Sequence, residues 1–203
     1  MIKEDAIIFD LGGVLIRLDY ALTIRAFEQL GITDFDVLYN QAAQTDLFDR
    51  YETGKISSMQ FINALLAYLP EGTSANQAVH AWNAMILDVP KERIRWLERL
   101  RQSHRLFLLS NTNDLHMPIV RRAWSKVSPK PLETFFDTVY LSYTLGMRKP
   151  DVATFQVVCE QNKLKPDKAI FIDDSIQHVE GARKAGLRVH HLTEFDQFDT
   201  LFS

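Results

Sequence analysis

Apolar runs that end abruptly on a charge or a turn recur along this chain: AIIF (6–9), LFLLS (106–110), TVYLS (138–142) and AIFID (169–173), with a weaker RVHHL at 188–192. Their apolar character is continuous rather than alternating, which predicts strands of a parallel sheet covered on both faces. Helical spacing fills the intervals. In PKERIRWLERLRQ (90–102) a Pro opens the helix and Ile94, Trp96, Leu97 and Leu100 gather on one side. DVATFQVVCEQNKL (151–164) follows Pro150, and SIQHVEGARKAGL (175–187) runs from a capping-type Ser to Gly186. Strand, helix, strand, helix predicts a doubly wound α/β domain.

Residues 17–88 break this rhythm. They contain no convincing strand but several helical patterns, among them SMQFINALLAYL (58–69) and SANQAVHAWNAMIL (74–87). The expectation is an α/β core built from 1–16 and 89–203, with a small helical cap, 17–88, inserted after the first strand.

Composition narrows the function classes. The 203 residues are 46% hydrophobic and carry a net charge of -3, which gives no footprint for nucleic acid or an anionic membrane. No apolar stretch approaches the roughly 18 residues of a membrane helix. Cys159 is the only cysteine, so no internal disulfide forms. A cytoplasmic protein acting on a small molecule is expected, its oligomeric state open.

In an open parallel sheet, ligands bind beyond the carboxyl ends of the strands. Polar residues collect there: Asp10, SNTND (110–114), SYTLGMRKPD (142–151) and DDS (173–175). Each alone reads as a turn or cap residue, since Ser, Asn and Asp are the usual capping types. Together, at successive strand ends, they assemble carboxylates, amide and hydroxyl donors and a cation on one edge.

FDLGGVL around Asp10, SNT at 110–112, KPD at 149–151 and IDDSIQHVEGARKAG at 172–186 resemble, in order, the four motifs of haloacid dehalogenase-like hydrolases. SNTNDLH and YLSYTLGMRKPD resemble especially the branch of bacterial sugar-phosphate phosphatases acting on glucose 1-phosphate. The resemblance implies a Rossmann-like core, Mg²⁺ as cofactor, a small phosphorylated metabolite as substrate, and Asp10 as a nucleophile that forms an aspartyl-phosphate. It further implies Lys149 as the balancing cation, Ser110 and the Asn111 backbone as phosphate donors, and metal ligands from Asp10, the Gly12 carbonyl and Asp174. Asp173 is a nearer or outer partner, the order of the two left open, and Arg148 is the rival cation.

One residue departs from the pattern. Phosphatases of this family usually carry a second Asp two positions after the nucleophile, as general acid and base; here that position is Gly12. A positioned general acid contributes about 10²–10⁴ in rate. Three readings follow: a phosphatase whose leaving groups need little protonation, an acid borrowed from the cap or a water, or a binding protein without turnover. A metal-free haloacid dehalogenase is a further rival, opposed by the crowded Asp173–Asp174 pair.

Asp46, Arg50, Tyr51, His80, Trp82 and Asn83 are cap candidates for substrate contact, Trp82 with core packing as its ordinary role. His116 is expected on a helix surface. His178 stands where many relatives carry another acidic residue.

Overall fold

The computed structural model describes residues 4–32 and 46–202. The five apolar runs form β1 (Ala6–Phe9), β2 (Arg105–Ser110), β3 (Thr138–Leu141), β4 (Ala169–Asp173) and β5 (Arg188–His191). Every pairing is parallel and the order is β3-β2-β1-β4-β5, so the first strand in the chain is the central one. Around the sheet lie α5 (Lys91–Leu100), α6 (His116–Ser125), α7 (Ser142–Leu145), α8 (Val152–Asn162) and α9 (Ile176–Lys184). Between β1 and α5 come α1 (Tyr20–Gln29), α2 (Asp46–Glu52), α3 (Ser58–Leu66) and α4 (Ala75–Asn83).

The pleat explains why the strands are apolar throughout. Ile7 and Phe9 pack with Leu106 and Leu108 on one face, while Ala6 and Ile8 pack with Phe107, Leu109 and Phe171 on the other. At the central strand neither face meets water. Truncating a side chain such as Ile8, fully buried between two neighbouring strands, to Ala typically costs about 2–5 kcal/mol.

The helices after β1 have a core of their own, in which Phe27, Phe48, Tyr51, Phe61, Leu65 and Trp82 meet. Two of them start on reciprocal caps: Ser57 with Gln60 on α3, and Ser74 with Gln77 on α4. Each pair satisfies two backbone groups that a helix start leaves open.

Three local differences from the sequence reading have physical causes. Helix α4 stops at Asn83 because the following residues pair with the chain leaving β1: Asp19 N–H donates to Met85 O and Arg17 N–H to Asp88 O, both at 2.9 Å. This narrow ribbon is invisible as a pattern because only Leu18 and Ile86 form a bridge. Ser142 leaves β3 to start α7, since its hydroxyl closes on Thr112, accepting from the Thr112 N–H at 2.9 Å and donating to its carbonyl at 3.0 Å. Ser175 stands at the N-cap of α9, but its side chain makes no capping bond.

The segment Phe195–Leu201 folds back as a 3₁₀ helix against α5. Arg93, 2% exposed, holds it: its Nη1 lies 3.1 Å from Asp199, and its guanidinium sits 4.0 Å from the Phe198 ring centre. The same side chain donates from Nε to the Val14 carbonyl at 3.0 Å, tying this segment to the loop after β1.

Candidate active site

The edge at the strand ends is built from β1 outward. Asp10 continues β1, its N–H donating to Ile172 O at 2.9 Å, and then the chain turns. Gly13 takes φ +69, a left-handed conformation that costs glycine little, and a Cβ there would lie 2.1 Å from Asp174 Oδ2. The Asp174 carboxylate therefore rests on bare backbone. At Gly12 an added Cβ would lie 2.4 Å from Leu18 Cδ1, so a side chain from the ribbon takes the space a residue at 12 would enter.

Lys149 is fully buried and stands between two carboxylates, its Nζ 2.8 Å from Asp10 Oδ1 and 2.7 Å from Asp173 Oδ2. Its backbone is gripped by Asn111: the Asn111 Nδ2 donates to Lys149 O at 2.9 Å and Lys149 N–H donates to Asn111 Oδ1 at 3.0 Å. The peptide that follows, Lys149–Pro150, is cis. Behind it, a Cβ on Gly181 of α9 would lie 2.3 Å from Pro150 O, so the helix packs there only as glycine.

Electrostatics divide the carboxylates. Burial opposes ionisation of Asp173, yet Lys149 and His178 outweigh it and hold the carboxyl at about 2. Its oxygens are engaged: Oδ2 by Lys149, Oδ1 by Ser175 N–H at 2.8 Å and His178 Nδ1 at 3.0 Å. Burial pushes Asp10 well above the usual range against the pull of Lys149, and Asp173 and Asp174 add to the rise. Burial and then the Asp173 charge push Asp174 up to about 6. Three carboxylates thus face one ammonium among the described residues, and the uncompensated negative charge fits a hard divalent cation with oxygen ligands. Asp10, Asp173 and His178 bring ligand-type atoms within 4.8 Å of one another. His178 turns its Nδ1 proton to Asp173, which leaves that atom no lone pair for a metal.

These groups line a cleft of about 1000 Å³ together with Ser110, Asn111 and Thr112 at the end of β2. Asp10, Ser110, Asn111, Lys149 and Asp174 therefore share one cavity, with Gly12 on its wall and Asp173 behind Lys149.

Arg148, the rival cation, lines the same cleft but makes its ion pairs with the helical wall. It pairs with Asp49 and Glu52 of α2, each at 3.2 Å. Burial pushes the Glu52 carboxyl up, and the Arg148 charge pulls it back.

The cap candidates named from sequence lie elsewhere. Arg50 and His80 are exposed and Trp82 sits in the helical core, while Tyr51, buried beside it, donates its hydroxyl to Asp114. Asn83 accepts from His116 Nδ1 at 2.7 Å, and the side chain of Asp46 lies outside the described residues. His116 is a correction: it is buried, stacked on Trp82 at 5.1 Å, and it lines the cleft. Burial there pulls its pKa down to about 3. Sequence reasoning missed Tyr20, Asp49 and Glu52 on the cleft wall. The three-residue spacing of Asp49 and Glu52, which places both on one helical face, was the available signal.

Known proteins share this fold. The model of the haloacid dehalogenase-like hydrolases matches residues 4–186. D-ribitol-5-phosphate phosphatase of Bacteroides thetaiotaomicron is 30% identical over 92% of this chain and 89% of its own. Glyceraldehyde 3-phosphate phosphatase of Pyrococcus furiosus is 24% identical over 76% of this chain and 63% of its own. Among solved structures, a family enzyme of Bacteroides thetaiotaomicron in complex with magnesium and inorganic phosphate superposes with a TM-score of 0.87 at 29% identity, covering 98% of this chain and 100% of that one.

Proposed function

The chain belongs to the haloacid dehalogenase-like hydrolases, and on that premise we propose that it removes phosphate from a small phosphorylated sugar or polyol through an aspartyl-phosphate on Asp10. It is a Mg²⁺-dependent phosphoric monoester hydrolase. The observation that carries the mechanism is Lys149, buried between Asp10 and Asp173, which fixes the nucleophile at the cleft while balancing its charge.

In the first step an Asp10 oxygen attacks phosphorus and the bond to the alcohol oxygen breaks, the departing oxygen taking a proton from solvent water. In the second, water attacks phosphorus and gives up a proton to solvent, the bond to Asp10 breaks, and hydrogen phosphate leaves with the carboxylate restored. Ser110 and the Asn111 N–H bind phosphoryl oxygens, and Lys149 screens them from Asp10. Asp10, the Gly12 carbonyl and Asp174 would hold the metal, which supplies Lewis-acid charge relief when bound. Asp173, its oxygens already committed to Lys149, Ser175 and His178, serves as the partner that orients the lysine. The helices of 17–88 act as a cap that excludes water and selects the organic part of the substrate.

No side chain at position 12 protonates the departing alcohol, and Leu18 fills the space. Among esters that bind equally well, those with good leaving groups, aryl and anomeric phosphates, should therefore turn over faster. The test is a Mg²⁺-dependent screen against phosphorylated metabolites, with Asp10→Asn as control. Turnover by the wild type but not the variant supports the reading. Binding without turnover of any ester would mark a phosphometabolite-binding protein, the rival for which Gly12 is the best evidence.

A further inference from the structure

The chain that leaves β1 alternates as it runs along the ribbon. Ile16, Leu18 and Tyr20 line the cleft, while Arg17 and Asp19 turn outward to Asp196 and Arg25. Same-face residues of an extended chain stand about 6.5 Å apart. Tyr20 is therefore the next side chain beyond Leu18, the residue that fills the space of a side chain at position 12. Ribbon hydrogen bonds at Arg17 and Asp19, and the Asp19 cap on Ala21 N–H, fix it there. The carboxylates that act on its phenol come from both sides of the cleft, Asp174 and Asp10 from the sheet edge and Glu52 from α2, so the hydroxyl stands between the phosphate end and the cap. Asp10 attacks from the sheet side, and an in-line displacement sends the departing oxygen away from it, toward the cap. A tyrosine carries its proton at neutral pH. Burial, and then the charges of Asp174, Asp10, Glu52 and Asp173, hold this one more firmly. His116, on the same cleft, offers no such donor: its one ring proton goes to Asn83, and its other nitrogen has a lone pair.

We propose that Tyr20 is a catalytic residue that donates a hydrogen bond to the departing ester oxygen, at the place Gly12 leaves bare. This rests on the phosphatase reading and adds a residue to it. As the bond from Asp10 to phosphorus forms, the bond to the alcohol oxygen breaks and its electron pair stays on that oxygen. The phenol hydrogen shares the charge, the phenol keeps its proton, and solvent water supplies the one that completes the alcohol. A donor aimed where charge develops binds more strongly in the transition state than in the ground state, so it speeds bond breaking rather than binding. A firmly held proton suits this role, because no transfer is required.

The experiment measures kcat/KM, which spans the steps up to loss of the alcohol, for p-nitrophenyl, phenyl and benzyl phosphate with Mg²⁺. The three leaving groups have similar bulk but accept negative charge with increasing reluctance. Tyr20→Phe keeps the ring and removes only the hydroxyl. It is expected to slow benzyl phosphate on the order of 10–100-fold, the range of a hydrogen bond to a charged group. Phenyl phosphate should lose less and p-nitrophenyl phosphate least. A variant that slows all three alike would show a role in binding or folding and overturn the proposal, as would one with wild-type rates. A wild type that cleaves p-nitrophenyl phosphate alone would overturn it too, since a hydroxyl at work there eases the departure of poorer leaving groups. The phosphatase reading is tested separately: a wild type inert toward all three esters sinks that reading, whereas an active one with an even loss in Tyr20→Phe sinks only the role of the tyrosine.

Discussion

Lys149 has no water to fall back on: it is wholly enclosed and both its partners are carboxylates. Lys149→Met is therefore expected to cost about 3–5 kcal/mol in urea denaturation, the usual result of leaving buried charge unpaired, along with turnover. Gly12 makes a second residue-scale prediction. Gly12→Asp alone drives its side chain into Leu18, whereas Gly12→Asp with Leu18→Ala opens the space. The double variant is expected to hydrolyse alkyl phosphates about 10–100-fold faster than Gly12→Asp, within the range of a positioned general acid. His116 makes a third. Its imidazole is held neutral, with a pKa lowered from 6.5 to about 3. A depressed value means that the stability it contributes is complete above pH 6.5 and is lost as pH falls toward 3, by up to about 1.4 kcal/mol per unit. Thermal melts between pH 6.5 and 4 should show His116→Gln with a flatter acid limb.

What the sequence reveals at this scale depends on where a residue sits. Asp10, Ser110, Lys149 and Asp173 end or follow apolar runs, and topology alone brings them to one edge. Arg148 with Glu52 is an ion pair across 96 positions between a loop and a helix, and no local pattern encodes it. His116 was misplaced for a related reason: its burial comes from Trp82 and Asn83 of α4, not from its own helix.

At the scale of elements, α9 matters more than its length suggests. Gly181 brings the helix against the carbonyl of Pro150, next to Lys149. Gly181→Ala is expected to destabilise the protein by about 1–3 kcal/mol through overpacking, and to lower activity as the Lys149 loop moves. Chemical denaturation beside a p-nitrophenyl phosphate assay would show both together. A capping loss should separate them: Ser74→Ala, at a residue that does not line the cleft, is expected to cost about 1 kcal/mol. Strands and long helices were legible because buried apolar runs announce themselves. The ribbon joining 17–19 to 85–88 was not, since its pairing is backbone to backbone and its side chains follow no period.

For the whole molecule, surplus negative charge at the cleft links fold to metal. Removing divalent cations with EDTA is expected to abolish turnover, and Mg²⁺ at a hundredfold excess over its Kd to stabilise the protein by about 2.7 kcal/mol, read as a rise in Tm. No helix among the described residues is long and apolar enough to cross a membrane.

The central place of β1 bears on biosynthesis. This strand is synthesised before the other four described strands, yet its two neighbours begin at Arg105 and Ala169. At 5–20 residues per second, roughly 10–30 s pass before the second flank exists. Throughout that time an uninterrupted greasy segment waits with an unsatisfied edge, a natural client for a nascent-chain chaperone. Shortening the wait by circular permutation, with β1 encoded after β2, should raise the soluble yield in cells depleted of such chaperones.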